Sequence, residues 1–214
     1  MISLEQASLV YDDRGKMIHA CREVSVTVNE GEFLGILGPS GSGKSSLLYL
    51  MSGLKVPTTG SVTFNGRNLN TLPDQERATI RLNQFGFVFQ YPFLVGYLTA
   101  LENVCIAYPE GNRQDEALRL LQEVGIGDLA HRMPHELSGG QRQRVCVARA
   151  LLGSPKVVFA DEPTASLDHT AGLQVMETLN THRGSGALVV VTHDPSMLEA
   201  ADRIIKIEDG AIQN

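Results

Sequence analysis

The run Gly38-Pro39-Ser40-Gly41-Ser42-Gly43-Lys44-Ser45 gathers the residue types that chemistry on phosphates requires. Its glycines let the backbone turn so that successive N–H groups point inward at an anion. Lys44 supplies a mobile positive charge for terminal phosphates, and the Ser45 hydroxyl is a ligand for Mg²⁺. The spacing is the phosphate-loop pattern G-x-x-x-x-G-K-[ST], and its surroundings agree with it. Apolar Phe33-Leu34-Gly35-Ile36-Leu37 enters as a strand, and Ser46-Leu47-Leu48-Tyr49-Leu50-Met51 leaves as a helix. That helix aims its positive end at the same anion, with Ser46 in its first turn. A plain Gly/Ser turn would have no need of a lysine at that step.

Two further stretches carry chemistry. In Val157-Val158-Phe159-Ala160-Asp161-Glu162-Pro163 an apolar strand ends in two carboxylates. The carboxyl edge of a parallel sheet is where ligands bind in open α/β folds. Asp161 is suited to hold Mg²⁺ and Glu162 to accept a proton from an attacking water. Alone, the pair would be a solvated acidic turn; with a phosphate loop upstream, the catalytic reading takes precedence. In Leu137-Ser138-Gly139-Gly140-Gln141, followed by Arg142-Gln143-Arg144, a glycine-rich turn opens a helix and could receive a second anion. In isolation this is an ordinary helix cap on Ser138.

The elements that must position these residues follow from apolar periodicity. Ile2 and Leu4, then Val24, Val26 and Val28, alternate with polar residues as half-buried antiparallel strands do, with residues 11–15 as a polar turn between them. Val62 and Phe64 lead into Asn65-Gly66, a hairpin signal, and Phe85-Gly86-Phe87-Val88-Phe89 is a strand ending at Gln90. From Tyr91 to about Leu152 the pattern is helical. Thr99 and Glu102 have capping-box spacing, Gly125 stands where a helix would end, and a third helix runs from about Gly140 to Leu151. Apolar strands return at residues 157–160 and 188–191 around a helix from about His169 to Asn180, which indicates a parallel sheet covered on both faces. The chain closes on Ile204, Ile205 and Ile207 and an Asp209-Gly210 hairpin.

At 214 residues the chain suits one domain carrying a subdomain. A net charge of −6 argues against a protein built to grip nucleic acid. Cys21, Cys105 and Cys146 share no metal-ligand spacing and are expected to be reduced thiols. With neither a signal segment nor a spanning apolar run, the expected location is cytoplasmic.

The three motifs in this order resemble the ATP-binding cassette ATPases, the nucleotide-binding subunits of ABC transporters, over essentially the whole chain, and residues 137–141 carry the most specific likeness. The resemblance implies an α/β fold, a P-loop NTPase cassette with a mostly parallel core sheet, an N-terminal antiparallel β subdomain and an inserted helical subdomain. It implies one domain over 1–214, with 1–90 and 153–214 as the ATP-binding core and 91–152 as the helical part. The ligands implied are ATP and Mg²⁺. Tyr11 matches the aromatic that stacks on adenine. Gln90 matches the glutamine that contacts Mg²⁺ and the attacking water, Asp168 belongs to the loop Ser166-Leu167-Asp168 that signals across the dimer, and His193 matches the histidine at the γ-phosphate.

In the family two cassettes close head to tail on two ATP molecules, and Ser138, Gly139, Gly140 and Gln141 of one complete the phosphate loop of the other. The resemblance thus implies a second cassette and a membrane permease as partners, no nucleic acid, and a peripheral position on the inner face of the cell membrane through the permease. The alternative is a non-transport cassette ATPase acting on DNA or ribosomes. Such relatives usually carry long insertions or two cassettes in one chain, and neither is visible here.

Residues 87–90, 98–104 and 160–164 look like the branch that includes lipoprotein-release, macrolide-export (MacB-like), antimicrobial-peptide-resistance and cell-division cassettes. Members of that branch work with permeases bearing a large extracytoplasmic domain, and mechanotransmission shares their machinery. Gly96 replaces its usual proline, Ala165 a common glycine, and the segment between Val104 and Gln114 is shorter than usual.

Overall fold

A computed structural model describes residues 1–108 and 111–213. Its first elements are β1 (Ile2–Asp13), β2 (Lys16–Val28), β3 (Phe33–Leu37), α1 (Lys44–Met51), β4 (Thr59–Phe64), β5 (Arg67–Asn68) and α2 (Asp74–Gln84). There follow β6 (Phe85–Val88), α3 (Ala100–Cys105), α4 (Gln114–Glu123), α5 (Gly139–Leu151), β7 (Val157–Asp161), α6 (His169–Arg183), β8 (Ala187–Thr192), β9 (Arg203–Glu208) and β10 (Ala211–Gln213). They form two units, residues 1–83 with 189–214, and residues 84–188.

In the first unit an antiparallel sheet has the order β2-β1-β4-β5. Its register sets Ile2 opposite Val28 and Leu4 opposite Val26, so the alternating apolar residues share one buried face. The turn between β1 and β2 is only Arg14-Gly15, with φ of 54° and 86°, the conformation a two-residue hairpin favours. Tyr11, Asp12 and Asp13, expected in the turn, therefore belong to the strand and pair with Ile18, Met17 and Lys16. Backbone pairing holds them there, and the Asp12 carboxylate accepts the Gly15 N–H at 2.7 Å.

The same unit carries neighbouring strands in the order β10-β9-β3-β8, with β3 parallel to β9 and β9 antiparallel to β10. Leu47, Leu48, Leu50 and Met51 of α1 are fully buried with Phe33, Leu34 and Ile36 of β3. Each such side chain stabilises the fold by about 1.5–3 kcal/mol. The β9–β10 hairpin turns at Asp209-Gly210 (φ 48° and 79°) with the backbone of the Asn65-Gly66 turn (48° and 76°). Helix α2 buries no residue and Leu82 on it stands exposed, so apolar periodicity gives no sign of it.

In the second unit β6 and β7 run parallel, with Phe85 opposite Val157 and Val88 opposite Ala160. Every residue of β7 is buried, the apolar run 157–160 together with Asp161 at its end. Helix α5 packs so closely on β6 that a Cβ on Gly86 would lie 2.0 Å from the Ala150 carbonyl oxygen. Thr99 and Glu102 form the expected capping box on α3, and Gly125 ends α4 with a φ of 74°. The rings of Phe85, Phe87, Phe89, Phe93 and Tyr91, with Phe159, pack in a chain with centroids 5.2–6.4 Å apart. The shortened segment between Val104 and Gln114 includes residues 109 and 110, which lie outside the described residues. Among the described residues no helix is long and apolar enough to cross a membrane.

Candidate functional site

Residues 38–43 form the loop between β3 and α1. Gly41 and Gly43 adopt φ of 80° and 100°, so the backbone curls in a way that L side chains resist. Gly43 is the N-cap of α1, and Lys44 and Ser45 occupy its first turn with Ser46. Lys44 is nearly buried, and its ammonium donates to the carbonyl oxygens of Gly38 (2.8 Å) and Pro39 (2.9 Å). The cation is thus folded back over the loop that starts the motif. The Ser42 hydroxyl is buried with no hydrogen-bond partner among the described residues, an arrangement that costs free energy until an acceptor or donor reaches it. An orphan hydroxyl, a lysine ammonium and a helix N-terminus in one curled loop suit a phosphate group.

Tyr11 lies near the tip of the β1–β2 hairpin with the Lys55 ammonium 5.7 Å from its ring centroid, within cation–π range. His193 is exposed and follows β8 directly. Asp194 begins the next turn, where its carboxylate accepts the Ser196 N–H at 2.9 Å.

In the second unit, parallel pairing brings two of the expected groups to one edge. Gln90 stands two residues past Val88, the last paired residue of β6, and Glu162 two residues past its partner Ala160 on β7. Asp161 and Glu162 are buried, with 3% and 8% of their surface exposed. Glu162 has a φ of 46°, a left-handed conformation that a non-glycine residue holds at a cost and that clusters at functional sites.

Ser138 caps α5 as the sequence suggests. Its hydroxyl accepts the Gln141 N–H at 3.2 Å, and the Gln141 side chain accepts the Ser138 N–H at 2.8 Å. Gly139 and Gly140 follow, and residues 166–168 approach them. A Cβ on Gly140 would meet Leu167 at 2.9 Å and the Ser166 carbonyl oxygen at 3.1 Å. This second loop therefore crowds any side chain at Gly140. Asp168 caps α6 by accepting the Ala171 N–H at 3.0 Å.

The structure adds residues that sequence reasoning missed. Gln143 donates to the Phe89 carbonyl at 3.1 Å, Cys146 to that of Pro92 at 2.7 Å, and Arg149 to those of Pro92 and Phe93, both at 3.1 Å. One face of α5 thus grips the chain on both sides of Gln90. The signal was present as polar residues at i, i+3 and i+6 of a helix otherwise buried on that side. Burial pushes the thiol of Cys146 up to about 11 and that of Cys21 up to about 12, so both stay protonated at neutral pH.

The chain is similar to known proteins over nearly its whole length. Residues 21–165 match the family model described as "ABC transporter". The chain is 40% identical to an uncharacterized ABC transporter ATP-binding protein of Methanocaldococcus jannaschii, covering 99% of this chain and 97% of that one. It is equally 40% identical to the lipoprotein-releasing system ATP-binding protein LolD of Shewanella denitrificans, covering 99% and 94%. Against the macrolide export ATP-binding/permease protein MacB of Aggregatibacter actinomycetemcomitans identity is 37%, over 99% of this chain and 34% of that protein. Among solved structures, a post-hydrolysis dimer of the ATP-binding cassette MJ0796 bound to ADP and phosphate is similar with a TM-score of 0.93 and 37% identity, covering 100% of this chain and 97% of the other.

Proposed function

The chain belongs to the ABC transporter family, and from that premise we propose that it is the ATP-hydrolysing subunit of a transporter of the exporter or lipoprotein-release kind, working with a separate permease. The observation that carries this reading is the loop of residues 38–45, with Lys44 folded over its carbonyls and the orphan Ser42 hydroxyl within it. Lys44 and the backbone of residues 38–46 hold the phosphates, and Tyr11 stacks on the adenine. Glu162 accepts the proton of the attacking water, while Gln90 and His193 orient that water and the γ-phosphate. A hydroxyl, an amide oxygen and a carboxylate are the hard ligands Mg²⁺ takes, and Ser45, Gln90 and Asp161 would hold it. When bound, Mg²⁺ neutralises charge on the terminal phosphates.

The dimeric state of the similar cassettes supports a working pair in which Ser138, Gly139, Gly140, Gln141 and Asp168 of one chain face the nucleotide of the other. Residues 91–152 then act as the helical subdomain that meets the permease, which carries a large extracytoplasmic domain and keeps the chain on the inner face of the membrane. The branch is supported by LolD and MacB among the relatives.

The test is direct. Glu162→Gln is expected to bind Mg-ATP as the parent does and to turn over at least ~100-fold more slowly, the usual contribution of a general base. Near-parental turnover would remove Glu162 from that role. The same variant, used with Mg-ATP as bait on gently solubilised membranes, should recover a permease with a large external domain. Recovery of ribosomes or DNA instead would overturn the transport reading.

A further inference from the structure

The phosphate loop does not stand alone in its unit. Its glycines are fixed from outside by two elements that no motif includes, β2 and the β9–β10 hairpin. The Gly210 N–H donates to the Ser42 carbonyl at 2.9 Å, while the Gly210 carbonyl accepts the Arg22 N–H at 2.8 Å. A Cβ on Gly43 would lie 2.2 Å from the Ala20 carbonyl oxygen and 3.3 Å from the Gly210 Cα. At the loop's other end, a Cβ on Gly38 would lie 2.3 Å from the Ile207 carbonyl oxygen. Backbone from β2, β9 and the β9–β10 turn is therefore packed against both ends of the curl. Gly210 sits at the centre of these contacts, in a left-handed conformation and with the Ala20 carbonyl oxygen 3.0 Å from where a Cβ would stand.

We propose that Gly210 is a positioning residue for phosphate binding, its turn holding Ser42 and Gly43 in the curl that presents the loop's N–H groups and the Ser42 hydroxyl. The proposal rests on the reading of residues 38–45 as the phosphate site. A loop bent into a conformation with two glycines at positive φ has many relaxed alternatives, and each populated alternative lowers phosphate affinity in proportion. One backbone hydrogen bond and close packing on Gly43 suppress those alternatives before the anion arrives. Since the hairpin meets the phosphate motif at Gly38, Ser42 and Gly43, its influence falls on phosphates and not on the base.

The Asn65-Gly66 turn provides a matched control. Its dihedral angles are nearly those of Asp209-Gly210, and a Cβ on Gly66 would meet nothing within 4 Å. Gly66→Ala and Gly210→Ala thus impose the same local strain, but only the second presses on β2 at Ala20, whose carbonyl also abuts Gly43. Affinities for Mg-ATP, Mg-ADP and magnesium tripolyphosphate would be measured by calorimetric titration of the full chain. Gly210→Ala is expected to lose about tenfold for all three ligands, the equivalent of one hydrogen bond, with Gly66→Ala within about twofold of the parent. Should Gly210→Ala fail to fold, Gly210→Asn takes its place, because asparagine tolerates positive φ while its Cβ still meets Ala20. Tripolyphosphate affinity within about twofold of the parent in the Gly210 variant, or an equal loss in Gly66→Ala, overturns the proposal. A parent chain that binds no tripolyphosphate, or binds it equally well as Lys44→Ala, overturns instead the phosphate-site reading beneath it.

Discussion

The left-handed backbone at Glu162 separates that residue from the aspartate beside it. Asp161 ends a regular buried strand, whereas Glu162 turns out of it at a φ of 46°, which re-aims its carboxylate relative to the strand. The sequence makes the Asp-Glu pair legible but not this division, because nothing in two adjacent carboxylates says where the strand breaks. Tyr11 carries a second prediction at this scale. Tyr11→Ala should weaken Mg-ATP about tenfold, a stacking loss of 1–3 kcal/mol, and leave tripolyphosphate unchanged. Equal losses for the two ligands would show that Tyr11 supports the fold and does not stack on the base. The thiols make a third. Cys21 and Cys146 are buried, and burial raises both. An unfolded thiol ionises near about 8.5, so the unfolded chain loses these protons first. The stability they contribute is full below that pH and is lost as pH rises towards 11–12. Iodoacetamide at pH 8 should label Cys105 in the native chain and reach the other two only on unfolding, as a mass shift would report.

The elements were legible in proportion to what they bury. Strands β3, β7 and β8 show as continuous apolar runs, and α5 shows through its cap and its buried Val145, Val147 and Ala148. Helix α2 was missed because all its residues retain solvent contact. The grip of α5 on the loop around Gln90 was missed for a different reason. Gln143, Cys146 and Arg149 donate to main-chain carbonyls, which leave no mark in the sequence of the segment they hold. Arg149→Ala removes two of these bonds while leaving the phosphate loop's own residues intact. It is expected to lower kcat about tenfold with the KM for ATP unchanged, as loss of positioning does. Arg149→Lys should not restore the rate, because a single ammonium does not reproduce the planar fork that reaches both Pro92 and Phe93. A rise in KM with kcat intact would move Arg149 from positioning to binding.

For the molecule as a whole, the glycine-rich start of α5 is occupied on one side by residues 166–167 and capped by its own serine. In the proposed pair this site faces the nucleotide held by the second cassette. Glu162→Gln with Mg-ATP should run in size-exclusion chromatography at twice the mass it shows with Mg-ADP. Adding Ser138→Arg should abolish that dimer with ATP affinity of the single chain kept within about twofold. A dimer that survives the arginine would place the interface elsewhere. The family and fold were legible because three short motifs state them in order; the substrate was not, because none of those motifs bears on it.

The hold of α5 on residues 89–93 also bears on time. Donors one turn apart on a rigid rod grip the carbonyls of Phe89, Pro92 and Phe93, so slackening one bond strains the rest. The loop is therefore expected to switch as a unit, and its switching should appear as one shared exchange rate for residues 89–93 in relaxation dispersion. Independent rates would mean that each bond lets go by itself. With the shared rate, Cys146, the softest donor of the three, becomes the place where a single substitution could reset the tempo of the cycle without altering its chemistry.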